Sequence, residues 1–318
     1  MFNISPEAWI TSVLLPGLAL GMLYFLVASG LSLIFGLMDV LNFAHGSLFM
    51  IGAYVAWTLV SYTSPENPDH WGVTIANSNL RFVLGLLTAA LLVGGLGALL
   101  ESGLIRPLYA RPIYQVLLTL GLVLVFSELV RAVPIWGPLA KSQDKPDWFA
   151  QSVRLVGNRR FPTYGFFIIG LGASLMVGMI ALLRYTRLGM IVRAGVQDSE
   201  MVQALGINVR RVFTLIFALG AGLAGLGGAV IAPQQGLSPE MGLEFQLAAF
   251  IVVVIGGMGS IPGAAVGALL VGLARTFGDT LIVNNPGLPR WLPSTSTVLI
   301  MALVLMLRPT GLFGKKEA

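Results

Sequence analysis

The chain has 318 residues, of which 56% are hydrophobic and only 10% charged, with a formal net charge of +5. A soluble domain carries about 25% charged residues, so this composition leaves too few charges to cover a soluble surface. The lack of cysteine excludes a disulfide frame and any Cys-based metal site. A basic pI of 9.7 over so few charges reflects loop ends rather than a nucleic-acid surface.

The composition and a mean hydropathy of +0.85 predict an all-α, polytopic integral membrane protein. Residues 1–318 read as a single transmembrane domain. Thirty-nine glycines fit it, because small residues let membrane helices approach closely. No Lys or Arg precedes Arg81. That is unlike a cleavable signal peptide, so the first apolar run is expected to be retained, and it permits an N-terminus outside the cytoplasm.

Runs long enough to span a bilayer lie near 9–36, 44–62, 80–103, 113–134, 164–183, 211–231, 245–276 and 293–308. The count is eight crossings, or nine if 245–276 makes two half-length passes. Arginines and lysines in 103–112, 184–211 and after 308 place those segments in the cytoplasm, and the acidic 62–79 loop outside. Alternation puts 137–162 outside as well, although it carries Lys141, Lys145, Arg154, Arg159 and Arg160.

Two stretches interrupt the apolar runs. The first is GLMDVLNFAHGSLFMIGAY, Gly36 to Tyr54, with Asp39, Asn42, Phe43, His45 and Gly46 at its centre. Asn42 is suited to cap a helix running from Phe43 into Trp57. The positive end of that helix would suit an anionic group passing nearby. The second is VVVIGGMGSIPGAAVGALLVG, Val252 to Gly272. Here Gly256, Gly257, Met258 and Gly259 precede Ser260, a candidate cap, and Pro262, suited to a first helical turn. Breaks in the membrane are tolerated only inside protein or beside water. A faint repeat joins the two: Gly36, Met38 and Gly52 recur as Gly256, Met258 and Gly272. Paired interruptions of this kind point to a transport pathway. The bland reading of each break is close helix packing alone.

Other polar groups carry less. Asp39 suits a structural role at the break. Glu128 and Arg131 share one helix face and predict an ion pair. His45 and His70 are the only histidines and have no ligand cluster beside them, so neither a metal site nor a catalytic constellation is expected. The segment 184–211, RYTRLGMIVRAGVQDSEMVQALGINVRR, predicts a short cytoplasmic helix over 197–205. Asp198 or Ser199 would start it and Gly206 would end it, with five arginines flanking.

The pattern RAGVQDSEMVQALGI resembles the cytoplasmic coupling segment of ABC importer permeases. GLSLIFGLMDVLNFAHGSLFMIGAY and SPEMGLEFQLAAFIVVVIGGMGSIPGAAVGALLVG resemble the branched-chain amino-acid permease family, specifically its shorter, H-type subunit. The resemblance covers about residues 10–310. It implies a multi-pass protein of the bacterial inner membrane that imports branched-chain or other hydrophobic amino acids. Relatives for urea, short amides or aromatic acids are the alternative, and an ion-coupled secondary transporter is a more distant one. The implied partners are a paralogous permease subunit in a heterodimer, two ATPase subunits that carry ATP and Mg, and a periplasmic solute-binding protein. This chain itself binds no cofactor and catalyses no reaction in that scheme. It has no phosphate-loop motif: Gly314-Lys315 is followed by Lys316. By the same resemblance Arg193, Asp198, Ala204, Gly206 and Ile207 belong to the element that docks on an ATPase. Asn42–Gly46 and Gly256–Pro262 would line or shape the pathway.

Overall fold

The structure is a computed structural model and describes residues 9–38, 40–155, 159–197, 199–285 and 287–314. Its helices are α1 Leu15–Met38, α2 His45–Tyr62, α3 Ser78–Leu100, α4 Pro112–Ala132, α5 Thr163–Tyr185, α6 Arg187–Gln197, α7 Ser199–Ala204, α8 Val209–Gln235, α9 Met241–Gly256, α10 Ile261–Asn284 and α11 Leu292–Leu307. A π-helical turn, Ile10–Leu14, leads into α1, and another, Glu101–Ile105, extends α3. Strands β1 Ser152–Arg154 and β2 Arg160–Pro162 pair antiparallel in the 137–162 loop. Among the described residues this small hairpin is the only sheet in an otherwise all-α fold.

Six helical segments are long and apolar enough to cross a membrane, and α9 and α11 are shorter apolar helices. With α2 they make nine apolar helices among the described residues. The run 245–276 is two helices, α9 and α10, joined by a four-residue turn. The second is 24 residues long, a full crossing rather than the half-length pass expected.

The two ends of the bundle are distinct. At one end, Ser78 Oγ donates to Asp147 at 2.6 Å, and Lys141 pairs through its backbone with Leu237. The 62–79 loop is joined to that end by α2 and α3. At the other end, Leu37 of α1 lies against Gly195 of α6, and the segment after α11 lies against the α9–α10 turn. The arginine-rich 184–211 segment and the C-terminal segment thus share one end, as the charge pattern requires, and the 137–162 loop lies at the opposite one. By the charge pattern, the end that carries 184–211 is expected to be the inner one and the end that carries 137–162 the outer one.

α1 and α8 form the centre, where glycines bring backbones together. A Cβ added at Gly30 would lie 2.5 Å from the Gly220 carbonyl oxygen, and one at Gly52 would lie 2.2 Å from that of Gly225. Without a hydrophobic drive between helices in lipid, this close backbone packing is what holds them together. On the outer side Arg131 pairs with Glu128 and, at 3.0 Å, with Glu240. The guanidinium holds the Glu240 carboxyl below the usual carboxylate range.

Candidate functional site

The first interruption forms a buried elbow. α1 continues to Met38, and the chain then turns back through 40–44 before α2 begins at His45. His45 is fully buried and its Nε2 lies 3.0 Å from the Val27 carbonyl, at mid-length of α1. A carbonyl only accepts, so Nε2 carries the proton. The elbow thus sits deep in the bundle rather than at its surface. Asp39 lies outside the described residues.

The helix begins two residues later than the sequence suggests. Ala44, not Asn42, is the N-cap residue, and it has no side-chain capping bond of its own. Asn42 Oδ1 instead accepts from the Ala44 N–H at 3.0 Å, an Asx turn that orders the chain just before the helix. The next free donor, the Gly46 N–H, is taken by Gln246 Oε1 of α9 at 2.5 Å. Gln246 Nε2 donates in turn to the Asn42 carbonyl at 3.3 Å. One side chain from another helix therefore closes the elbow at both ends. Phe43 stacks near Phe250 of α9, with ring centroids 5.0 Å apart. The positive end of α2 is covered by neutral acceptors, and an anionic group could reach it only after Gln246 withdraws.

This burial leaves debts. Asn42 Nδ2, His45 Nδ1, Ser32 Oγ and the Tyr54 hydroxyl are buried without a hydrogen-bond partner in the structure. Buried polar atoms are ordinarily paired, and each unpaired one costs about 1–3 kcal/mol.

The second interruption is a tight turn. The Ser260 N–H donates to the Gly257 carbonyl at 3.0 Å, and Gly259 at the third position has φ of +78°. Ser260 caps α10 by accepting from the Gly263 N–H at 3.1 Å, and Pro262 sits in its first turn. The last carbonyls of α9, Ile255 and Gly256, accept from Leu312 and Phe313 N–H at 2.9 and 3.0 Å. A hook after α11 thus satisfies backbone groups that a helix end leaves open. Met258 points outward at 56% exposure. The two interruptions touch: a Cβ on Gly36 would lie 2.7 Å from the Gly259 Cα.

At the inner end lie two helices, α6 and α7, where the sequence predicts one short rod over 197–205. Arg193 lies on α6, and its guanidinium donates to the Leu183 carbonyl at the end of α5. Asp198 lies outside the described residues. α7 ends in a Schellman motif: the Ile207 N–H donates to the Val202 carbonyl and the Gly206 N–H to the Gln203 carbonyl. Gly206 takes the required left-handed conformation, φ +82°. Val202 is buried, whereas Met201, Ala204 and Leu205 face outward, with Leu205 73% exposed. Asn208 then caps α8 by accepting from the Arg211 N–H at 3.2 Å.

Next to this segment is a charged cluster that the sequence reading passed over. Glu101 is fully buried at the inner end of α3 and is held by Arg106 at 2.9 Å and by the Tyr109 hydroxyl. Arg106 also donates to Thr214 of α8 at 2.5 Å. Burial, then the hydrogen bond to Glu101, push the Tyr109 hydroxyl above its usual range. The cluster clasps α3 to the start of α8, directly after the exposed rod. Its signal in the sequence was Glu101 standing alone between an apolar run and Arg106.

The structure therefore brings Asn42, Phe43, His45 and Gly46 together at the elbow, and Gly256 through Pro262 at the turn. It sets Arg193, Ala204, Gly206 and Ile207 apart from both, at the inner end.

Comparison with known proteins gives the same outline. Residues 13–307 match the family described as Branched-chain amino acid transport system / permease component. The chain is 27% identical over 95% of its length to the high-affinity branched-chain amino acid transport system permease protein LivH of Salmonella typhimurium, covering 94% of that protein. It is 28% identical to BraD of Pseudomonas aeruginosa, described in the same words, over 96% of this chain and 95% of the relative. The permease protein LivM of Escherichia coli is 28% identical over 92% of this chain and 68% of its own length. With the all-α multi-pass fold and a family match over most of its length, the chain belongs to the branched-chain amino acid transport system permease component family.

Proposed function

We propose that this chain is the translocating subunit of an ATP-driven importer of the bacterial inner membrane. Its substrate is a branched-chain or similar hydrophobic amino acid, received from a periplasmic solute-binding protein. It works beside a paralogous permease, and the similarity to both LivH and LivM supports such a pairing. ATP and Mg belong to two separate ATPase subunits.

The observation that carries this reading is the buried elbow. Unpaired Asn42 and His45 nitrogens, in a turn closed by a single glutamine, are costly unless another conformation gives them partners. Alternating access supplies one: withdrawal of α9 from α2 would open Asn42–Gly46 to water and substrate. The α9–α10 turn at Gly256–Pro262 lies at the inner end of that same α9 and is the place for a hinge. The α6–α7 segment, with Arg193, Ala204, Gly206 and Ile207, is the handle for the ATPases, and Asp198 belongs to the same stretch of sequence.

Two results are expected. Purified gently from its native membrane, the chain co-purifies with ATPase subunits and a second permease. Purification as a self-sufficient single chain would count against the reading. Ala204→Trp, placed on the exposed face of α7, is expected to uncouple ATP hydrolysis from uptake or break ATPase docking while the permease still inserts. Normal coupled uptake by that variant would remove α7 from the docking surface.

A further inference from the structure

On the outer half of the bundle, α1, α9 and α10 enclose a cleft lined by Leu20, Tyr24, Glu244, Phe245, Arg275 and Asp279, with Gln235 of α8 at its edge. None of these residues belongs to the two interruptions or to the cytoplasmic rod. Arg275 lies on α10 about 13 Å inside its Asn284 end, at 1.5 Å per residue. Its guanidinium donates to Ser294 Oγ at 3.1 Å, and its Nε lies 3.9 Å from an Asp279 oxygen, too far for a hydrogen bond. Glu244 makes no hydrogen bond or ion pair among the described residues, and the Tyr24 hydroxyl has no hydrogen-bond partner among them. Tyr24 is buried with its ring edge-on to Phe245, at a centroid distance of 5.9 Å, so the hydroxyl is held in place at the cleft.

The position of these charges matters. Glu244 and Asp279 are exposed on helices that are otherwise apolar, and Arg275 is partly exposed beside them. Ionisable side chains within spanning segments are costly against lipid and mark water-filled or ligand-lined paths. Arg275 is offset only in part by Ser294 and Asp279, and Glu244, in the first turn of α9, has no ion-pair partner among the described residues. This face therefore meets water or ligand rather than lipid. The cleft offers one incompletely paired cation, two carboxylates, a fixed hydroxyl and an apolar wall. That donor set matches one chemistry: a carboxylate and an ammonium on the same small molecule, with an apolar side chain.

We infer that this cleft is an outer subsite for a free α-amino acid, in which Arg275 receives the carboxylate, Glu244 and Asp279 receive the ammonium, and Leu20 and Phe245 face the side chain. The inference rests on the amino-acid permease reading and adds where the substrate first meets this chain after leaving the binding protein.

The chain has no cysteine, so a single one can be placed cleanly. The assembled transporter, with cysteine-free partner subunits, is prepared in nanodiscs carrying Gln235→Cys or, separately, Leu20→Cys, and is treated with a charged maleimide from the outer side. L-leucine at millimolar concentration is expected to slow labelling several-fold. Isopentylamine, which lacks the carboxylate, and 4-methylpentanoate, which lacks the amine, are expected to have little effect. Arg275→Gln on the Gln235→Cys background is expected to abolish the protection. Three results would each overturn the subsite: labelling indifferent to leucine at both positions, equal protection by the two analogues, or a cleft closed to the reagent by the second permease alone. Leucine uptake by the cysteine-free parent is measured in parallel. If uptake proceeds without protection, the subsite fails while the permease reading stands. If uptake is absent, the permease reading fails on its own measurement.

Discussion

Gly257→Val is expected to reduce uptake to background, whereas Gly85→Val is expected to leave most of it. Gly257 has φ of +96°, a conformation open to glycine and strained for a β-branched residue. Backbone strain of this kind costs about 1–3 kcal/mol. Space is also lacking: an added Cβ would lie 2.4 Å from the Gly314 nitrogen and 3.0 Å from the Phe313 carbonyl carbon. Those are backbone atoms of the hook that satisfies the end of α9. The substitution therefore strains the turn and drives away the partners of Ile255 and Gly256 at once. Gly85 has ordinary helical geometry, and an added Cβ would lie 3.1 Å from Val60 Cγ2 and 3.4 Å from the Ala56 carbonyl oxygen, contacts that ask for a shift of a few tenths of an ångström rather than a new backbone conformation. Uptake normalised to membrane-inserted protein separates the two variants. Equal losses would mean that Gly257 matters only as a small residue, and the hinge role assigned to the turn would lose its basis.

Gln246→Met is expected to be the most damaging single change at the elbow, although methionine conserves volume. Gln246 is buried and serves two backbone groups, the Gly46 N–H and the Asn42 carbonyl. Removing it leaves the Gly46 N–H unpaired in the interior, at about 1–3 kcal/mol, and leaves the Asn42 carbonyl with only the His45 N–H, at 3.4 Å. The elbow already holds unpaired Asn42 and His45 nitrogens, so little reserve is expected there. Thermal unfolding in detergent should move to clearly lower temperature, and uptake should fall with it or beyond it. Leu247→Met, at the adjacent exposed position, is the control and should change little. If Gln246→Met unfolds and transports like the parent, the glutamine is not the latch of the elbow.

The parts of this structure that could be read from the sequence are those with local signals. Glycine, serine and proline at Gly257–Pro262 announced a break and a new helix start, and the turn, the Ser260 cap and the first-turn proline are all where that chemistry puts them. Gly206 announced the end of α7 for the same reason. At the first break the local signal misled by two residues. Asn42 reads as a helix cap, but its side chain closes an Asx turn, and the capping is done by a glutamine two hundred residues away.

What escaped was non-local or looked ordinary. Gln246 is one polar residue in an apolar run, and nothing near it in sequence identifies its partner. The carbonyls at the end of α9 find their donors in the hook after α11, a pairing with no local trace. α6 carries Arg187 and Arg193 in a stretch whose charge reads as a flank of the rod, although its residues form a helix of their own, Arg187–Gln197. The outer cleft gathers Tyr24, Glu244, Arg275 and Asp279 from three helices, and only their packing shows that they belong together.

The central claim is that this chain moves an amino acid across the membrane under the control of separate ATPases, through rearrangement of the elbow and the turn. The most direct measurement is uptake of radiolabelled leucine into proteoliposomes containing the chain, its paralogous permease and both ATPases. ATP and Mg are placed on the ATPase side and the binding protein on the other. The account predicts accumulation that requires ATP, Mg and the binding protein together, and that persists when the proton and sodium gradients are dissipated. Uptake by the isolated chain, driven by an ion gradient and indifferent to ATP, would contradict it.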